Sequence, residues 1–381
     1  MKWEKKKLCE CTEYITDGDH QPAPKADKGV HFIKIKDIVN NQVSFDAQVY
    51  VPQEYYDNLP MERKPQKEDV LYTVVGSFGI PSYVQTDELF CFERNIALLH
   101  PNKDIEPRFL YYSLKNPAFY KGVEIVANGS AQKLIPLSKL KDLKISVPDK
   151  EAQHRIADIL SVYDNLIENN QKQIKLLEEA AQRLYKEWFV DLRFPGHENT
   201  KIVDGVPEGW IKEEIGKIIK KVHRTKQIVA SEYKDEGSIP IVDQSREFVA
   251  GYTNDLEARV DFGIPIIVFG DHTRIVKLIQ FPFAKGADGT QLIISDCLEM
   301  PQRLLYCSIM NVDLSNYHYA RHFKYLKEEK IMIPTVKVAN EFENNVTGIF
   351  SKIQNCRDEI IRCQKTRNLL LPKLMSGEVE V

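Results

Sequence analysis

No run of about eighteen apolar residues, the length a helix needs to cross a bilayer, occurs in this 381-residue sequence. Its first residues, Met1-Lys2-Trp3-Glu4-Lys5, hold no apolar signal segment. Excess charge is also missing: 52 Lys and Arg against 55 Asp and Glu leave a net charge of −3, so any nucleic-acid surface must be local. The seven cysteines form no CxxC pair, and Cys9-Glu10-Cys11 is too close for an ordinary structural pair. Buried thiols in a reducing compartment fit that pattern. P-loop, Gly-x-Ser-x-Gly and dinucleotide fingerprints are absent. No glycine-rich cofactor motif accompanies Asn116-Pro117-Ala118-Phe119 to make an amino-methyltransferase site, and Asp142-Leu143-Lys144 is a nuclease-like triplet that arises readily by chance. Together these absences point to a cytoplasmic chain that neither spans membranes nor catalyses by itself. An apolar content of 43% argues against disorder.

What is present is a repeat. Ile156, Leu160, Tyr163, Ile167, Asn170, Ile174, Leu177, Ala181, Leu184 and Trp188 follow one another at alternating steps of four and three, a heptad seam. An offset of 186 gives Phe342, Val346, Ile349, Ile353, Cys356, Ile360, Cys363, Arg367, Leu370 and Leu374, with no gap. The lead-in Lys144 to Pro148 likewise returns as Lys330 to Pro334. Asp149 is the expected N-cap of the first helix, which should end near Phe189, ahead of Pro195-Gly196. Each apolar stripe is too long for one small globule to cover. The economical solution is antiparallel burial of one stripe by the other, unless each faces a separate partner. Asn170, near Cys356, would then fix the register.

The stretches before the helices read as two editions of one mixed α/β module. In the first, Val30–Ile35 and Gln42–Tyr50 alternate as strands, and Asp69–Val75 runs into the turn Gly76-Ser77-Phe78-Gly79 before Tyr83-Val84. Asn95–Leu99 is another strand, and a helix from Pro107 to Leu114 is ended by Pro117. In the second, Ile264–Phe269 runs into Gly270-Asp271-His272-Thr273-Arg274, and Arg303–Ile309 matches Arg108–Leu114. The expected fold class is therefore α+β. Two similar α/β domains, 1–148 and 195–334, alternate with long helices over 149–194 and 335–381, packed as an antiparallel coiled coil with pseudo-two-fold symmetry. Two unlike readers suit a two-part target. A recognition scaffold, a stand-alone DNA-modifying or DNA-cleaving enzyme, and a coiled-coil protein adaptor all remain open on the residues alone.

Several short motifs, in order and twice over, carry a resemblance. They are Trp3 with Thr16-Asp17-Gly18-Asp19-His20, Gly129-Ser130-Ala131-Gln132, Gln153-His154-Arg155-Ile156-Ala157, Pro207-Glu208-Gly209-Trp210, Gly270–Thr273 with Gly286–Gly289, and Leu369–Gly377. On these the chain resembles the specificity subunits of type I restriction–modification systems over essentially its whole length. The second copy departs from the first at Val338–Glu341, opposite Ala152–Arg155. The resemblance implies two target-recognition domains, each reading half of a bipartite asymmetric sequence in double-stranded DNA. It implies helices that hold two methyltransferase subunits, with restriction subunits joining that core. S-adenosylmethionine, ATP and magnesium would bind the partners, leaving this chain without catalytic, cofactor or metal residues of its own.

Candidate DNA contacts follow from side-chain chemistry. Asp271, His272, Thr273 and Arg274 sit at a strand end where they could reach base edges, Arg on guanine being the commonest specific contact. The same stretch would also serve as a plain hairpin turn. Ser77, Phe78 and Gly79 are the equivalent turn of the first module. Ser130, Gln132 and Lys133 form a loop that is equally a structural turn. The glycines around Lys285 allow close backbone approach. Tyr319, Arg321, His322 and Lys324 mix stacking rings with cations. His318 and His322 lie four apart, but no third ligand accompanies them for zinc. Lys217, Lys220, Lys221, Arg224 and Lys226 suit phosphates, which position without specifying.

Overall fold

The computed structural model describes residues 3–39, 41–127, 129, 133–222, 225–317 and 321–381. Compactness divides the chain into two units, 1–169 with 359–381, and 170–358, so each unit takes part of both long helices.

The first unit is a mixed helix–strand module. Strand Glu4–Lys7 pairs antiparallel with Lys144–Val147, the strand that leads into the first long helix. A four-stranded antiparallel sheet runs in the spatial order Thr12–Asp17, Ile96–Pro101, Val70–Thr73, Pro81–Tyr83. Its inner strand Val70–Thr73 is buried throughout because both its faces are covered, and the side chains alternate between two cores. Val70 and Tyr72 join Phe109, Leu110, Ile156 and Leu160. Leu71 points the other way, to Ile33, Phe90 and Leu98. The stretch expected as one strand over Gln42–Tyr50 resolves into two short ones, Gln42–Val43 and Tyr50–Val51. Pro117 does mark the end of helix Pro107–Lys115, but it also opens a further helix, Pro117–Val126. There proline occupies the first turn, where a missing N–H costs nothing, and Asn116 accepts from the Ala118 amide at 3.0 Å.

The second unit repeats the plan. Ile211–Glu214 pairs with Lys330–Ile333, the lead-in to the second long helix. A three-stranded antiparallel sheet runs Val276–Ile279, Ile266–Gly270, Thr290–Ile293. Again the central strand is wholly buried, with Ile267 and Phe269 on the helix side and Ile266 and Val268 on the other. Beside it, Phe283–Gly286 pairs parallel with both Gln227–Ile228 and Ile239–Val242. Helix Gln302–Met310 takes the place that Pro107–Lys115 has in the first unit.

The long helices span Lys150–Tyr185 and Val336–Ser376. Asp149 caps the first, accepting from the Ala152 amide at 2.9 Å. A wider π-type turn over Lys186–Val190 finishes it, bringing Trp188 and Phe189 both into the core. Every seam position on both helices is buried or half-buried, and the seams do meet. In the first unit Asp164 pairs with Arg367, while Ile156 and Leu160 share a core with Leu371 and Leu374. In the second, the Cys356 thiol faces the Gln173 amide oxygen, and the Tyr185 and Trp188 rings lie 6.3 and 5.7 Å from Phe342. Rising numbers on one helix meet falling numbers on the other, so within each unit the pairing is antiparallel. Asn170 is buried, as its seam position demands.

The departure between copies has a structural counterpart. Gln153 is buried, its amide oxygen accepting from the Glu106 N–H at 2.9 Å and so holding the start of helix Pro107–Lys115. Ala339 stands at the matching position, and Glu343 holds the corresponding helix by pairing with Arg303 at 2.9 Å.

Candidate nucleic-acid interface

In the second unit, antiparallel pairing brings Ile266–Gly270 and Val276–Ile279 to a turn at Gly270–Arg274. Gln244, at the end of strand Ile239–Val242, holds that turn. Its backbone carbonyl accepts from the Thr273 hydroxyl at 2.7 Å, and its side-chain oxygen accepts from the His272 N–H at 3.1 Å. Its amide nitrogen donates to the Asp288 carbonyl at 3.0 Å, which ties in the glycine loop after Lys285. Sequence reading missed Gln244. The available signal was the polar run Asp243-Gln244-Ser245 directly after an apolar strand.

Asp271, placed among base-reading residues by its position in the turn, is internal instead. It is 4% exposed, and its carboxylate accepts from the Phe323 N–H at 2.8 Å. It therefore anchors the start of helix His322–Glu328 and is sequestered from any ligand. His322 is buried too. Arg274, at φ +60°, donates from Nε to His322 Nε2 at 3.2 Å and from Nη2 to the Tyr317 carbonyl at 3.1 Å. Burial first, and then the Arg274 guanidinium, hold the His322 imidazole below its ordinary value. Both side chains are thus committed to packing the helix onto the turn. His272, Thr273, Arg321 and Lys324 are exposed.

Beside this turn lies a cleft of about 1020 Å³ lined by Lys220, Lys221, Lys285, Arg321 and Lys327, with Asp288 as its acidic member. Gln227, Gln291 and Phe323 add amides and a ring. Burial lowers the Lys285 ammonium, the signature of a cation held away from water. Lys217 and Lys226 do not join the cleft. Lys217 pairs with Glu213 at 2.9 Å, and Lys226 sits between Asp255 at 2.7 Å and Glu257 at 3.0 Å. Arg224, His318 and Tyr319 lie outside the described residues.

The first unit gathers Ser77, Phe78, Gly79 and Lys133 at the equivalent turn. The Gly76 N–H donates to the Lys133 carbonyl at 3.2 Å, and the Lys133 ammonium stands 5.3 Å over the Phe78 ring. Phe78 stacks on Tyr120, with centroids 5.8 Å apart. Gly79 has φ +83°, and a Cβ there would lie 2.4 Å from the Tyr120 ring, so both conformation and space demand glycine. Tyr120 was not foreseen, because the helix that carries it begins at a proline read as a stop. Ser130 and Gln132 lie outside the described residues. A lysine over a stacked aromatic pair can hold a phosphate or a base face; the cleft of the second unit can hold a run of phosphates.

Residues 1–179 match the family model for the type I restriction modification DNA specificity domain. The first part of the chain is thus a type I restriction modification DNA specificity domain. The chain is 29% identical over 316 residues to the type I restriction enzyme MjaIX specificity subunit of Methanocaldococcus jannaschii, a match covering 76% of this chain and 72% of that protein. It is also 29% identical over 170 residues to the HindI specificity subunit of Haemophilus influenzae, covering 42% of this chain and 36% of that one. Its fold is that of the crystallised type I restriction-modification system S subunit from M. genitalium, at TM-score 0.58 and 18% identity, over 98% of this chain and 96% of that one. No helix among the described residues is long and apolar enough to cross a membrane.

Proposed function

We propose that this chain is a type I restriction–modification specificity subunit, which reads a bipartite, asymmetric sequence in double-stranded DNA and carries the reading to partner subunits that do the chemistry. The observation that supports it best is the repeated strand–turn–strand. Each copy ends in a turn with exposed polar groups, and the second opens on a cleft lined by five cations. In the first half-site, Ser77, Phe78 and Lys133 make the contacts, with Gly79 admitting Tyr120; Ser130 and Gln132 are further contacts by their side-chain chemistry. In the second, His272, Thr273, Arg321 and Lys324 meet bases and backbone, and Tyr319 is a further contact by its side-chain chemistry. Lys285, Lys220 and Lys221 neutralise phosphates, and Asp271, Arg274 and His322 set the scaffold. Two methyltransferase subunits dock on the long helices and restriction subunits join them. S-adenosylmethionine, ATP and magnesium belong to those partners, and this chain is not itself an enzyme.

Sequencing methylated adenines in cells that carry this subunit with its partner genes tests the proposal. One interrupted asymmetric motif, lost when the subunit is deleted, is the expected result. Methylation or cleavage by the purified chain alone, or a methylome indifferent to its deletion, would overturn it.

A further inference from the structure

We infer that Gln244 is a positioning residue for sequence choice, fixing the direction in which His272 meets a base pair of the second half-site. The inference rests on the DNA-reading proposal above. The Gln244 side chain ties its own strand end to the 270–274 turn and the 286–290 loop, and its backbone carbonyl adds a second tie to the turn. The amide has one possible orientation, because the His272 N–H can only donate and the Asp288 carbonyl can only accept. The fit leaves no slack: a Cβ on Gly289 would stand 2.7 Å from the Gln244 amide nitrogen and 2.7 Å from the His272 ring, and one on Gly270 would stand 2.9 Å from the Gln244 Cβ. On the other flank, the Asp271 N–H donates to the Gly289 carbonyl at 2.7 Å. His272 is the exposed residue at the centre of these ties. Its ring can donate to a purine acceptor in the major groove. A turn held from both sides fixes the Cα–Cβ bond from which that ring projects, and that bond sets which base pair the ring can reach. The phosphate-binding cations lie apart from Gln244 on the cleft wall, so choice and affinity are separable here.

The full chain, co-expressed with its methyltransferase partners, is challenged with a randomised duplex DNA library. Gln244→Met fills the space without hydrogen bonds. It is expected to lose at least about tenfold discrimination at base pairs of one half-site, with the salt dependence of binding unchanged. His272→Ala is expected to lose discrimination at the same base pairs. If Gln244→Met fails to fold, Gln244→Glu carries the test, since it keeps the acceptor for His272 and loses the donor for Asp288. An intact motif with affinity lowered for all sequences alike would reduce Gln244 to a structural part and overturn the inference. So would His272→Ala relaxing different base pairs. A wild-type complex that selects no motif would instead overturn the DNA-reading proposal itself.

Discussion

Asp164 gathers three groups of the first unit. It accepts from Tyr112 at 2.8 Å and pairs with Lys115 at 3.5 Å and with Arg367 of the second long helix, while Lys115 donates onward to Tyr111 at 2.8 Å. Burial outweighs the carboxylate and brings the Lys115 ammonium down to about 8 from 10.5. Between those values the unfolded chain binds more protons than the folded one, so stability rises with pH across the window. The wild-type urea midpoint is expected to climb from about pH 8 to pH 10 by more than that of Lys115→Met. Equal slopes in urea titrations would refute this. The sequence placed Arg367 in the seam as an oddity, and no spacing rule could pair it with Asp164. That pair depends on which helix faces meet, which a one-dimensional pattern leaves open.

At the scale of elements, the heptads were legible because a long helix writes its period many times over. The strands were legible where they are inner, as in Val70–Thr73 and Ile266–Gly270, since cover on both faces makes them nearly continuously apolar. They were not legible where only two residues pair, as at Gln42–Val43. The second seam concentrates its packing at Phe342, which is fully buried among Tyr185, Trp188 and Phe189. Phe342→Ala should cost about 3–5 kcal/mol of the second unit's stability. Leu176→Ala, 65% exposed on the part of the first long helix that belongs to the same unit, should change it by no more than about 0.5 kcal/mol. Thermal unfolding followed by tryptophan fluorescence checks both, because Trp188 and Trp210 belong to the affected core.

For the molecule as a whole, a net charge of −3 conceals a cationic cleft: the sequence singled out Lys220, Lys221, Lys285 and Arg321 one by one, but neither Lys327 nor their meeting in one place was legible. Lys285, Arg321 and Lys327 arrive from elements far along the chain, and the cleft's existence depends on how those elements fold together. Likewise the interior placement of Asp271 was hidden, because the helix that buries it begins some fifty residues later. Lys220→Gln and Lys327→Gln are each expected to reduce the slope of log affinity against log salt by about one, uniformly across sequences. Filter-binding or anisotropy titrations at several salt concentrations measure it, and unchanged slopes would remove the cleft from the DNA path.

The division of the long helices between units also sets an order of completion during synthesis. The second unit is one uninterrupted segment, 170–358, whereas the first is closed by 359–381. Leu371, Leu374 and Met375 fill the core around Phe109 and Leu160, so the module translated first is the last to be finished. A stop codon after Asp358 should therefore spare the later-encoded module and leave the earlier one open to protease. Limited proteolysis of that truncation, with the surviving fragment read by mass spectrometry, would show whether damage at the tail of the gene is felt at its head.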